Sequence, residues 1–562
     1  MSQRHSLNPC MLRRRIAESL EVAIRTAQER GAIVPTALPE VLVERPQDPK
    51  HGDYASSVAL KLARATRANP MAVAEKLVEL LPPIAGVDRV TIAAPGFINF
   101  TISGKWLAEQ VNVVLKQGDS YGNVPLGGGK RVQVEFVSVN PTGPLHVGHG
   151  RGAVLGSTLA NVLTAAGYDV EKEYYVNDAG TQIDNFRTSL YVRYQQCFDR
   201  DVPMPSEGYF GTYMIELARD IASSEGDRFL KMPEDRAIRE LGAIGLSRMV
   251  DAIRNELDRL RVKFDVWFSE HDLYQGGQWD RAMDILRKGG YVAQKENATW
   301  FVSTALGEDK DNVLVRSNGS PTYFASDVAY HYNKFLERKF DQVINVWGAD
   351  HQGHVSRMKA VVGALGISPE RLKVIITQLV TLRRGQEVVR LSKRSGDIIT
   401  LAEVMDEVGV DACRFVFLSR SADSQMDFDL ELAKKQSVEN PVYYVQYAYA
   451  RIASILRLAQ EQCIDFGDGD VSLLTNDAEL ALLREIVRLP ELIEMMAARL
   501  EPHHLPHYAQ ELATIFHSFY QQCRVVSPDQ AVTKARLKLV MAARIVLARV
   551  LGLMGMTAPE RM

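Results

Sequence analysis

Long apolar runs are missing from this chain of 562 residues: no stretch of eighteen apolar residues occurs, so no membrane-spanning helix is expected. The start, MSQRHSLNPCMLRRRIAESL, also lacks the continuous apolar segment of a secretory signal, and export is not expected. Cysteine is scarce. The five thiols (Cys10, Cys197, Cys413, Cys463, Cys523) are odd in number and form no C-x-x-C, which argues against a disulfide framework and places the protein in a reducing cytoplasm. Neither charge sign dominates: 66 basic against 69 acidic residues leave a net charge of −3, which neither announces a nucleic-acid partner nor excludes a local basic face. No internal repeat or low-complexity segment is evident. What is present is ample apolar material, 46% of the residues, enough for several cores and suggesting three or four domains.

The richest segment spans residues 131–176. RVQVEFVSV (131–139) reads as a strand from its β-branched residues and Phe136. Asn140-Pro141-Thr142-Gly143-Pro144 breaks it, and His146-Val147-Gly148-His149 opens a run with Val154, Leu155, Leu159, Val162 and Leu163 at helical spacing, ending at Gly167. Residues 170–176 supply a second strand, giving a βαβ unit whose helix start is suited to phosphate. Two imidazoles three residues apart share a helix face there and can donate to phosphate oxygens, while Gly148 leaves room for a purine ring. A competing pattern is the dinucleotide one, G-x-G-x-x-A over Gly148, Gly150 and Ala153, with Asp169 and Glu171 downstream; the long loop 140–145 fits it poorly.

Pro141 to His149, followed by GHGRGAVLG and YYVNDAGTQI (174–183), resembles the HIGH signature of class I aminoacyl-tRNA synthetases, and specifically that of the arginyl-tRNA synthetase family. The class has a second ATP signature, a lysine loop, to which Val389-Arg390-Leu391-Ser392-Lys393-Arg394-Ser395-Gly396 is similar; Arg390 stands at the first lysine and Lys393 matches the second. Ahead of it, residues 374–382 read as a buried parallel strand. Between the signatures, the apolar strand 343–347 ends in Gly348-Ala-Asp350-His351-Gln-Gly353-His354, similar to the class I G-x-D motif: the glycine admits the ribose and Asp350 accepts from its hydroxyls. A metal site at Asp350, His351 and His354 is not expected, since no cysteine lies near and no further ligand has a zinc-like spacing.

The resemblance implies an α/β fold: a Rossmann-type catalytic domain with an N-terminal α+β domain and a C-terminal all-helical anticodon-binding domain. The expected divisions are 1–120, then 121–400 with a helical insertion at about 185–298, a connector over 401–439, and the helical tail 440–562. HGDYASSVAL and Pro95-Gly96-Phe97-Ile98-Asn99-Phe100 resemble the family's extra N-terminal domain, which implies that Asn99 touches a tRNA base; by their chemistry alone the phenylalanines suit a core and Asn99 a turn. In the tail, Tyr443, Gln446, Tyr447 and Arg451 share a helix face. Such a stripe suits packing as well as RNA, and Tyr443, Tyr447 and Arg451 are the expected tRNA contacts.

By the resemblance ATP, brought with Mg2+, is held by His146, Gly148, His149, Gly348, Asp350, Ser392 and Lys393, with His146, His149 and Lys393 catalytic. Arginine is held by Ser138, Asn140 and His146 at its amino and carboxylate ends, and by Tyr323, Asp327 and Glu135 at the guanidinium, which needs planar acceptors. Asp327 has an alternative use as a helix cap. The expected protein is an arginine–tRNA ligase with tRNA, arginine and ATP as partners, no metal site of its own, no tightly bound cofactor, no membrane association, a monomeric state and a cytoplasmic location. The alternatives are another class I synthetase, a small nucleotidyltransferase, or a non-catalytic tRNA-binding paralogue; retention of both ATP signatures speaks against the last.

Overall fold

Five short β-rich segments assemble the central layer of the computed structural model, which describes residues 9–389 and 399–562. They are β1 (Arg131–Glu135), β2 (Asp169–Val176), β3 (Val266–Ser269), β4 (Gln342–Gly348) and β5 (Leu372–Thr377), all parallel, in the spatial order β3-β2-β1-β4-β5. The order reverses between β1 and β4, and ligands of doubly wound sheets bind outside the carboxyl ends at such a switch point.

The helix Val147–Ala165 connects β1 to β2 and is buried on nearly every side. Its glycines make that possible: a Cβ on Gly156 would lie 2.3 Å from the Phe136 ring, and one on Gly150 2.6 Å from Leu401 Cδ1. Arg151 on the same helix is a strut, donating to Gln378 O (2.8 Å) and Ser421 O (2.7 Å).

Three segments depart from the sequence reading. β1 stops at Glu135 instead of continuing to Val139, because Val137 and Ser138 take positive φ (68° and 43°) and turn the chain out of the sheet while Phe136 stays in the core. The apolar run 374–382 is divided between two sheets: Leu372–Thr377 is β5, whereas Val380–Arg384 pairs with Glu387–Val388 and Met426–Asp429. Within 185–298 the helices Thr181–Gln196, Thr212–Glu225 and Glu234–Arg259 enclose a core of their own, but Val266–Ser269 is the edge strand β3. Its four residues are too few to register against charged helical surroundings, yet Trp267 stacks on Tyr174 of β2 with centroids 4.3 Å apart.

The N-terminal domain has an antiparallel sheet, Tyr54–Ser56, Phe97–Ile102 and Val87–Ala93, and docks on the tail through Arg45–Glu491, Arg13–Glu494 and Arg484–Asp53, each at 2.8 Å. The tail is helical, from Pro441–Glu461 to Gln530–Leu553. Buried Arg414 joins it to the catalytic unit by donating to Leu260 O (2.7 Å), Ser157 Oγ (3.0 Å) and Met554 O. Among the described residues, no helix is long and apolar enough to cross a membrane.

Candidate active site

A cavity of about 980 Å³ opens at the carboxyl ends of β1, β2 and β4. At one side stands the start of the Val147–Ala165 helix. His146 is its cap: His146 Nδ1 accepts from Gly148 N (3.1 Å), and His149 Nδ1 accepts from His146 N (3.2 Å). The rings stack with centroids 3.5 Å apart. Because each Nδ1 is an acceptor, each neutral ring carries its proton on Nε2. Burial, with His146 beside it, pushes His149 down to about 3, so it acts as a neutral donor. A Cβ on Gly148 would come 3.0 Å from His146 Cε1, which explains the glycine. The dinucleotide alternative fails on position: Asp169 and Glu171 lie at the start of β2, away from the loop, and are engaged by Arg131 and Arg338.

Gly348 ends β4 on the cavity wall, and a Cβ there would sit 2.6 Å from Asp350 Oδ1. Asp350 is exposed, with His351 Nε2 at 3.4 Å. Arg390, Ser392 and Lys393 lie outside the described residues.

The other side of the cavity is acidic. Tyr323 and Asp327 stand one turn apart on the helix Tyr323–Tyr332, where Thr322 is the cap; Asp327 is therefore a mid-helix residue, and its capping alternative is withdrawn. Burial, reinforced by Glu135 and Glu270, pushes Asp327 up to about 8 against the opposing pull of Arg357 and Lys334. Glu135 lines the cavity but pairs with Lys334 Nζ at 2.5 Å. Ser138 Oγ accepts from Tyr175 N (3.1 Å), and Asn140 donates to Gln182 Oε1.

Sequence reasoning missed Glu270. It follows β3 directly, is buried, accepts from the Ser326 hydroxyl, and receives the Asn177 amide at 2.7 Å when that amide is oriented to donate. Burial, with Asp178 nearby, raises its carboxyl above the usual range. Recognition of β3 would have exposed it, since residues just past strand carboxyl ends line such sites.

The structure does not bring the expected RNA residues into this cavity. Asn99 lies mid-strand with 4% of its surface exposed, whereas neighbouring Phe97 is 37% exposed. On the tail, the Tyr443 and Tyr447 rings are parallel within 7° at 6.1 Å. Arg451 donates to Tyr447 Oη (2.6 Å) and lies over the Tyr447 and Tyr520 rings at 4.7 and 5.0 Å. Gln446 instead donates to Asp411 Oδ2 (2.7 Å), tying the tail to the connector.

Three family models match the chain: the arginyl tRNA synthetase N terminal domain over residues 12–102, the catalytic domain of class I (R) tRNA synthetases over 110–439, and the DALR anticodon binding domain over 445–562. An arginine–tRNA ligase of Dehalococcoides mccartyi is 58% identical over 97% of this chain and 98% of its own. One from Heliobacterium modesticaldum is 50% identical over 98% and 99%. The fold is that of the Thermus thermophilus arginyl-tRNA synthetase, with a TM-score of 0.78, 23% identity, and coverage of 98% of this chain and 100% of that one.

Proposed function

The chain belongs to the arginyl-tRNA synthetase family, and from that premise we infer the reaction: ATP-dependent attachment of arginine to tRNA through an arginyl-adenylate. The substrate's carboxylate attacks the α-phosphorus of ATP and pyrophosphate leaves. The terminal ribose hydroxyl of the tRNA then opens the adenylate and AMP leaves. The enzyme's part is positioning and charge stabilisation, without a covalent intermediate. One observation carries the reading: a single cavity has the neutral donor His149 at the helix start and two carboxylates without a paired cation in the described contacts, Asp327 and Glu270, at the other side.

We assign roles accordingly. His146 and His149 offer Nε2–H to the triphosphate, with Lys393 as the cation. Gly148 and Gly348 leave room for the nucleoside, Asp350 accepts from the ribose, and Ser392 assists the phosphates. Ser138 and Asn140 hold the amino-acid backbone groups, and Tyr323, Asp327 and Glu270 hold the guanidinium. Tyr443, Tyr447 and Arg451 meet the anticodon. In the N-terminal domain, exposed Phe97 offers a stacking surface beside Asn99. ATP enters as its magnesium complex, and the protein works as a cytoplasmic monomer without a tightly bound cofactor. ATP–pyrophosphate exchange is the test. Arginine with tRNA present should support it, and support by another amino acid at the same rate would overturn the assignment.

A further inference from the structure

Lys334 is wholly buried beneath the acidic side of the cavity, on the π-helical turn Asn333–Glu337 that continues the helix bearing Tyr323 and Asp327. Its Nζ lies 2.5 Å from Glu135 Oε2, 3.1 Å from Asn345 Oδ1 and 4.0 Å from the centre of the Tyr330 ring. The network continues back to the site: Asn345 Nδ2 meets His331 Nε2 (3.2 Å), and His331 Nδ1 meets Asp327 O (2.8 Å). Burial, with Lys334 beside it, pushes His331 down to about 3, so this ring is neutral and Lys334 is the cation in it. The other charges nearby are spoken for: on β2, Glu173 pairs with Arg338 and accepts from the Tyr330 hydroxyl. A buried ion pair adds little net stability, whereas removing one partner leaves a costly buried charge. A π-turn inside a helix is itself a frequent mark of function.

We propose that Lys334 is a specificity-determining residue: it takes Glu135 out of the carboxylates offered to the substrate and leaves Asp327 and Glu270 to meet the guanidinium. One planar cation has two edges suited to two carboxylates, and a third would remain buried without a partner. The inference rests on the reading of this cavity as the arginine pocket.

The decisive comparison is Glu135→Gln against Glu135→Gln/Lys334→Met, by exchange kinetics with tRNA present. In the single variant Lys334 has lost its counter-ion, turns to Asp327 and competes with the substrate. KM for arginine should rise roughly tenfold or more while KM for ATP stays within about twofold. The double variant, with neither charge, should recover most of that loss. A double variant as poor as the single one would mean that Glu135 itself touches arginine, and would overturn the proposal. If either variant does not fold, the wild-type enzyme still decides: calorimetry of arginine binding in two buffers at pH 7 should count about one proton released, from Asp327. A count near two that persists in Glu270→Gln would mean that the second proton comes from Glu135, which is then not held by Lys334, overturning the proposal, whereas a second proton lost in Glu270→Gln belongs to that raised carboxyl and upholds it. Failure of arginine to support exchange in the wild type would instead remove the pocket reading itself.

Discussion

Thr400 forms an antiparallel bridge with His146, and next to it Leu401 N donates to Leu145 O at 2.9 Å. The chain that resumes at residue 399 is thus fastened to the histidine turn, and the helix Leu401–Val408 starts from that junction.

A cation used on the developing charge of the transition state, in preference to the bound ground state, should affect rate more than affinity. Lys393→Ala is expected to slow exchange by on the order of a hundredfold, about 3 kcal/mol, with a much smaller change in KM for ATP. Unchanged exchange would place the phosphate cation elsewhere.

His149 should behave as a neutral donor throughout the working range. Its ionisation at about 3 means that no histidine limb from this residue should appear in the exchange rate between about pH 5.5 and 8. His149→Ala should cost roughly 2 to 3 kcal/mol in that rate. The same depression affects stability. Below about 6.5 the unfolded chain takes up a proton that the folded one refuses, so the contribution is complete above that value and is lost as pH falls toward 3. Thermal unfolding from pH 7.5 down to 5 should show a smaller decline in His149→Asn than in the wild type.

How much of this was legible follows from what each signal needs. The Val147–Ala165 helix and the turn before it carry their pattern locally, in Pro, Gly and the two histidines, and the strand at 343–347 is apolar apart from Asn345. Glu135, Ser138, Asn140, Tyr323 and Asp327, read from the sequence as pocket residues, all line the cavity. Glu270 was hidden because its strand is four residues long, and Lys334 because a buried lysine looks like a surface one until Glu135 and Asn345 are brought to it across the sheet. Gln446 and Arg451 share one helix face in the sequence, and only the packing of Asp411 against the first shows that Gln446 is a strut while Arg451 lies over the Tyr447 and Tyr520 rings.

Asp327 gives the amino-acid step a pH dependence. In the free enzyme it ionises at about 8, so at pH 7 most molecules hold a proton there that an arginine cation must displace. Arginine affinity is therefore expected to rise with pH from about 6.5 to 8 and then level off. Asp327→Asn should flatten that slope and weaken arginine binding by roughly 3 kcal/mol, more than a hundredfold, while sparing ATP. A flat wild-type profile would mean that Asp327 does not face the guanidinium.

The tail helix allows a paired test, because two residues on one face have different partners. Arg451 lies between the faces of Tyr447 and Tyr520, an arrangement that a guanidinium keeps and an ammonium does not, so Arg451→Lys is not conservative there. It should raise KM for tRNA by about tenfold, near 1.4 kcal/mol, and leave KM for ATP and arginine unchanged. Gln446→Ala removes the amide that Asp411 Oδ2 and Thr557 O share, so its cost should appear as about 1 kcal/mol of stability with tRNA affinity largely kept. The opposite outcome, a tRNA defect from Gln446→Ala and none from Arg451→Lys, would exchange the two roles and turn the aromatic stripe into packing.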